Sequence, residues 1–422
     1  MGSMVFQFRT AQQILFGRGE HQKAPKLCLQ FGKRVFLVTG AESLKRHGVL
    51  EPVLADFSKL GVQVQHATVS GEPDLAQADE LSQKLREAGS EVVLAMGGGS
   101  VLDVGKAAAA LSQNDGLAIE YLEDVGLGLP RPLCNAPLPV IAVPTTAGSG
   151  SEATRNAVLR VPELQVKRSL RSDLLLPRVA IVDPDLSATS PLRVAAAAGM
   201  DALTHLIEGY LSKGAQPMTD ALAVRGIGLL WNGLHALAET FSKRAEFSPP
   251  PVQMQQQLAL GSLWGGIVLA NAGLGAVHGL VAPLGGLCRV AHGDGCACLL
   301  PATFATNARA LFQRQKDSPA AQRMMELCGL LADGQQDPER ATERLETLRT
   351  RLSILNLQAQ GVTESQFPQI LQQCRGGSMR SNPIELTDDE LCAILRASFR
   401  GGNGAKDTVL PGSSPGFPSE GK

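Results

Sequence analysis

Between residues 33 and 187, short apolar runs of strand length alternate with amphipathic stretches of helix length, and this alternation constrains the fold of the 422-residue chain more than any other feature. "RVFLVTG" precedes the helical "AESLKRHGVLEPVLADFSKLG", "VQVQHATV" precedes "LAQADELSQKLREAG", and "EVVLAMGGGS" precedes "VLDVGKAAAALSQ". "PLPVIAVPTT" and "RVAIVDP" supply two further strands. Parallel neighbours need a long crossover, and helices of these lengths provide it, so the pattern predicts right-handed βαβ units and a parallel sheet. The period changes after "DPDLSATSP": from Leu192 to about Ser398 apolar residues recur at helical spacing and no strand stands out. The expectation is an α/β domain over 1–188 and an all-α domain over 189–400. "EFSPPP" reads as a linker between helices, and 401–422 as a disordered tail from its Gly, Pro and Ser content.

Charge narrows the partners. The 39 Lys and Arg balance 40 Asp and Glu, a net charge of -1, so no basic surface is expected for nucleic acid or membrane. Residues 258–288 carry no charged side chain and are long enough to cross a bilayer. They also contain Ser262, Asn271, His278, Pro283 and eight glycines, which favours a buried helix of a large domain over a span. No basic region followed by an apolar core opens the chain, and the eight cysteines include no CxxC pair. Free thiols in a reducing, cytoplasmic setting are the expectation.

Two loops suit a dinucleotide. In "EVVLAMGGGSVLDVGK" a strand meets a helix through Gly97, Gly98 and Gly99, where unpaired N–H groups and the positive end of the helix dipole attract a pyrophosphate. The same glycines also fit a plain tight turn. "VPTTAGSGSEAT" follows another strand and offers hydroxyls at Thr145, Thr146, Ser149 and Ser151, either for ribose, phosphate and nicotinamide or merely to cap the loop.

"GMDALTHLIEGYLSK" places Asp201 and His205 at i and i+4 on one helix face, amid residues that read as buried. An ion pair satisfies that spacing, and so does a shared cation. His278 and His292 follow in "AVHGLVAPLGGLCRVAHGDG". An unbroken helix would hold them about 21 Å apart, too far to share an ion, so the chain must turn between them. Pro283, Gly285 and Gly286 are the expected break. One carboxylate and three imidazoles suit Fe²⁺ or Zn²⁺. His21, His47, His66 and His235 have no such company and read as surface or boundary residues.

Together "GGGSxxDxxK" (97–106), "PTTAGSGSE" (144–152), "GMDALTHLIEGY" (199–210) and "VHGLVAPLGG…AHG" (277–293) resemble the iron-containing, group III, alcohol dehydrogenase family in order and spacing. The likeness covers roughly residues 5–398. It implies a Rossmann-like N-terminal domain joined to a helical metal-binding domain, a dehydroquinate synthase-like architecture with its active site in the cleft. It implies the ligands Asp201, His205, His278 and His292. It implies a coenzyme lining of Gly97, Gly98, Gly99, Ser100, Asp103, Thr145, Thr146, Ser149 and Lys167, with Lys167 also in the catalytic group. The implied reaction is hydride transfer between nicotinamide and a small alcohol, aldehyde or ketone, with the metal as Lewis acid; a homodimer is expected. Glycerol dehydrogenase, maleylacetate reductase and dehydroquinate synthase share this architecture, and a non-catalytic nucleotide-binding protein is the rival outside it.

Two departures matter. Many members carry a further histidine four residues after the one matching His278; here stands Ala282, so a proton relay there is lost. NAD-preferring members carry an acid after the second strand; here stands Gly40, with Glu42, Lys45 and Arg46 nearby, so NAD and NADP both remain open as coenzymes.

Overall fold

A computed structural model describes residues 5–126, 128–242 and 251–400; the tail at 401–422 and all of "EFSPPP" except Pro251 lie outside them. Six strands form one parallel sheet: β1 (Gln13–Phe16), β2 (Arg34–Gly40), β3 (Gln63–Val69), β4 (Val92–Gly97), β5 (Val140–Pro144) and, after a hairpin made by β6 (Asn156–Val161) and β7 (Val166–Arg171), β8 (Val179–Val182). Their order is β1-β8-β5-β4-β2-β3. The five strands read from sequence are all present. β1 was not foreseen; it is four residues long and pairs with β8 at the sheet edge, too short to carry a periodic signal. The β6–β7 hairpin was also missed, although "NAVLRV" and "VKRSLR" alternate around a turn closed by Gln165 at φ 54°.

Central strands β4 and β5 are buried at every residue, as a parallel sheet covered on both faces requires. Successive side chains of β2 alternate between the faces. Val35 and Leu37 join Phe57 of α3 (Leu50–Lys59), with α1 (Ala24–Cys28) and α2 (Ser43–Arg46) on the same side. Phe36 and Val38 join α4 (Leu75–Glu87) and α5 (Gly99–Leu111), with Leu159 and Leu170 of the hairpin.

After the short α6 (Pro184–Ser187) every element is helical: α7 (Leu192–Leu211), α8 (Pro217–Ser242), α9 (Val252–Ala272), α10 (Ala276–Leu287), α11 (His292–Arg314), α12 (Pro319–Leu331), α13 (Pro338–Arg351), α14 (Phe367–Gln373) and α15 (Asp388–Arg400). α7 lies against α8, α9 and α11, and its residues 199–211 are all buried. The apolar stretch 258–288 is not one helix: α9 and α10 meet at 101°, with Gly273 at φ +76° in the break. Among the described residues Pro217–Phe241 is one helix long and apolar enough to cross a bilayer, and half of its most apolar window is buried in the protein. Pro283 likewise differs from expectation. It sits inside α10, and the chain turns later, over 288–291, where Arg289 takes φ 57°. Gly285 and Gly286 instead leave room for the hairpin: a Cβ on Gly286 would lie 2.2 Å from the Gln165 carbonyl oxygen.

The loop after β5 joins the two halves. Gly150 adopts φ +61° and abuts α9, where a Cβ on Gly266 would stand 2.3 Å from the Gly150 oxygen; a Cβ on Gly148 would stand 2.7 Å from Ala198 of α7. Ala153, Val182, Ala259, Leu263 and Ile267 fill the seam around this contact. A buried polar clip fixes the same loop. Lys106 Nζ, fully buried on α5, donates to Ser151 O (2.9 Å), Thr154 Oγ1 (3.0 Å) and Asn156 O (2.5 Å) and lies 3.2 Å from Asp103 Oδ1. Burial pushes neighbouring Glu152 up to about 7.

Gly266→Ala should destabilise the protein by about 1–3 kcal/mol by overpacking, whereas Gly228→Ala, in open space on α8, should stabilise it by about 0.5–1 kcal/mol. Paired denaturant melts read the contrast, and equal effects would remove the seam from the account. Glu152 binds its proton more tightly folded than at its ordinary 4.5, so stability is lost as pH rises from about 4.5 through about 7. Glu152→Gln should flatten that fall, by no more than about 3 kcal/mol, in urea titrations across this range; an unchanged slope would contradict it.

Candidate metal centre and coenzyme cleft

Three helices meet at one carboxylate. Asp201 and His205 lie one turn apart on α7, His278 is the third residue of α10, and His292 is the first residue of α11. Their imidazole Nε2 atoms converge on Asp201 Oδ1, at 3.3 Å for His278 and 3.6 Å for both His205 and His292. The His205 and His278 rings stack with centroids 4.7 Å apart, and His292 lies 5.4 Å from His278. Donors bonded at roughly 2.0–2.1 Å to a tetrahedral ion stand about 3.3–3.4 Å from one another, so the distances to Asp201 fit a divalent cation, while His205 lies outside the group of donor atoms that are all within 4.8 Å of one another.

The surroundings favour such an ion. Asp201, His205 and His278 are all buried, while the His292 side chain is 45% exposed. Burial alone would raise Asp201, but His205, His292 and His278 hold it well below the usual carboxylate range. Burial pushes His205 down to about 3, which leaves its ring neutral and its lone pair available. His278 goes the other way: burial opposes its charge, but Cys296, Asp201 and Glu208 raise it above the ordinary value.

Two residues here escaped the sequence reading. Glu208 lies three residues after His205 on the same face of α7. Its Oε2 stands 2.6 Å from His278 Nδ1 and its Oε1 accepts the Val277 N–H at 2.6 Å, which turns His278 Nε2 toward Asp201. The "HLIE" spacing carried that signal. Cys296, four residues after His292 on α11, completes a set with Asp201, His278 and His292 whose donor atoms all lie within 4.8 Å of one another. It is therefore not simply the apolar filler that the cysteine pattern suggested. Among the other histidines, His21 pairs with the buried Asp183 at 2.5 Å and His66 bonds Thr39 at 2.8 Å.

The two loops lie side by side at the carboxyl ends of β4 and β5, where Thr145 N–H donates to Gly97 O at 2.9 Å. α5 begins at Gly99, and no side chain caps it, so its first N–H groups stay free for an anion. The glycines divide their work. A Cβ on Gly97 would strike Val101 at 2.6 Å and one on Gly99 would strike Ser149 Oγ at 2.6 Å, so these two serve packing; Gly98 faces Thr146 at an open 3.6 Å. Ser100, Thr146 and Ser149 are partly exposed beside it. Asp103 and Ser151 bind each other at 2.5 Å, and the second Asp103 oxygen accepts the Val158 N–H at 3.0 Å, so this pair ties loop to hairpin. Gly40 ends β2 with no neighbour closer than Val101 to an added Cβ, at 3.9 Å. Lys167 reaches across from the hairpin, 2.5 Å from Glu72 and against Gly285 of α10, within electrostatic reach of His292. Arg155, Arg168 and Arg171 are engaged locally by Asp173, the Asp124 carbonyl and Glu123.

Comparison with known proteins agrees with this geometry. Residues 11–184 match the iron-containing alcohol dehydrogenase family, and residues 195–399 match the C-terminal region of the Fe-containing alcohol dehydrogenase family. The chain is 33% identical over 385 residues to long-chain-alcohol dehydrogenase 1 of Geobacillus thermodenitrificans (strain NG80-2), covering 88% of this chain and 91% of that protein. It is 32% identical to 1,3-propanediol dehydrogenase of Klebsiella pneumoniae, covering 94% of this chain and all of that one. Among solved structures it superposes on a 1,3-propanediol oxidoreductase with TM-score 0.81 at 30% identity, and on a sulfoacetaldehyde reductase from Bifidobacterium kashiwanohense, in complex with NAD⁺, with TM-score 0.80 at 28%; each covers 94% of this chain and all of the other. The chain belongs to the iron-containing alcohol dehydrogenase family and is an oxidoreductase acting on CH–OH groups.

Proposed function

We propose that Asp201, His205, His278 and His292 hold one divalent cation, Fe²⁺ with Zn²⁺ as its competitor, beside a nicotinamide dinucleotide seated on the two glycine loops. The convergence of three imidazole nitrogens on one buried carboxylate oxygen carries this reading. A cation there supplies Lewis acidity toward an alcohol or carbonyl oxygen, and the nicotinamide gives or takes the hydride. The chain's own part is position and exclusion of water. Gly98 and the free N–H groups at the start of α5 receive the pyrophosphate, with Gly97 and Gly99 shaping the turn. Ser100, Thr145, Thr146 and Ser149 orient ribose and nicotinamide, while Asp103 and Ser151 hold the loops in register. Lys167 adds a positive charge to the cleft wall near His292.

Gly40 brings no carboxylate to the end of β2, so the coenzyme is NAD or NADP, with Glu42 the acid nearest in sequence to favour NAD and Lys45 and Arg46 the cations to favour NADP. The substrate is a small alcohol, aldehyde or ketone, and the local pairing of Arg155, Arg168 and Arg171 disfavours a phosphorylated one. A homodimer is supported by the exposed apolar Ile14 on the edge strand β1. Eight free cysteines support the cytoplasm, and the balanced charge argues against nucleic acid and membrane as partners.

His278→Ala should lose bound metal and reduce nicotinamide-linked alcohol oxidation at least about a hundredfold, measured by elemental analysis beside an absorbance assay on protein purified without chelator. Wild-type metal content and rate in that variant would reject the assignment. Gly40→Asp should lower kcat/KM with NADP by about tenfold or more while sparing NAD, through like-charge repulsion from the 2′-phosphate. Equal effects on both coenzymes would place the adenosine end elsewhere.

A further inference from the structure

We propose that Cys296 is an additional metal donor, which makes this a mixed nitrogen, oxygen and sulfur centre that prefers thiophilic ions. The inference rests on the four-ligand reading above and extends it. Cys296 Sγ lies 3.7 Å from His278 Nε2 and 3.8 Å from His292 Nε2. A sulfur at about 2.3 Å and a nitrogen at about 2.0–2.1 Å from one ion stand about 3.6–3.8 Å apart for angles of about 109–120° at the ion, which brackets both distances.

The helix makes this geometry rigid. His292 and Cys296 occupy i and i+4 in the first turns of α11, so one element aims both at Asp201. Two other buried thiols have ordinary partners: Cys298 points at the Ser398 carbonyl and Cys374 at the Leu371 carbonyl. Cys296, fully buried, faces the imidazoles. Cys296 is fully buried whereas the His292 side chain is 45% exposed. On binding, the S–H proton passes to solvent as the metal–sulfur bond forms, and no electron moves. Thiolate is a soft ligand, so the site should rank Zn²⁺, Co²⁺ and Cd²⁺ above Mn²⁺ more steeply than one carboxylate and three imidazoles alone.

The test is to strip the full-length protein of metal, load it with Co²⁺ and record its absorption spectrum, with bound cobalt measured in the same samples. Wild type should develop a sulfur-to-cobalt charge-transfer band in the near ultraviolet. Cys296→Ser and Cys296→Ala should bind cobalt without that band, and their preference for Cd²⁺ over Mn²⁺ should fall by about tenfold or more. Cobalt bound by wild type with no such band, or a band that persists in Cys296→Ser, would overturn the sulfur donor and leave the four-ligand reading standing. Failure of wild type to bind cobalt at all would overturn both.

Discussion

A carboxylate buried beneath three helices is the constraint to which the helical half of this protein answers. Asp201 is 4% exposed, and an isolated charge there costs far more than the few kcal/mol by which a domain is stable. His205 comes from its own helix, but His278 and His292 come from two others, so α7, α10 and α11 must meet at one point for the charge to be compensated. The bend at Gly273 and the turn at Arg289 are the backbone devices that bring them there. Glu208 extends the arrangement by fixing the His278 ring from behind, so its direction does not depend on the ion alone.

Hydride transfer also demands that the two halves keep a fixed relation, because reacting atoms must approach to within contact distance. The loop after β5 serves both needs. One end lies beside the Gly97–Gly99 turn, and the other lies on α7 and α9 through Gly148 and Gly150, with Ala198 only three residues ahead of Asp201. Lys106 and Asp103 lock the loop from the sheet side. The loop after β5 and the helices α7 and α9 are thus a single packed unit, and side chains on these glycines would force them apart.

How much of this was legible depended on the range of each signal. The five longer parallel strands and the all-helical second half follow from periodicity, which is local. Asp201 and His205 are legible for the same reason, since one helix turn joins them. His278 and His292 were legible as residues, but the place where the chain turns between them was not: Pro283 is a strong local breaker that helix packing overrides, while Arg289 in a left-handed conformation carries no sequence mark. Cys296 looked like core because its neighbours in "CACLL" are apolar, and only the convergence of helices tells it apart. The glycines of the Gly97–Gly99 turn read as room for a pyrophosphate, yet two of the three are needed by Val101 and Ser149, a tertiary demand that no local pattern reveals.

The most direct measurement is anomalous diffraction from crystals grown with Fe²⁺, with data recorded on both sides of the iron absorption edge. The account predicts one strong difference peak within bonding distance of Asp201 Oδ1 and the Nε2 atoms of His205, His278 and His292. A peak elsewhere, or a saturated crystal with none between these side chains, would contradict it.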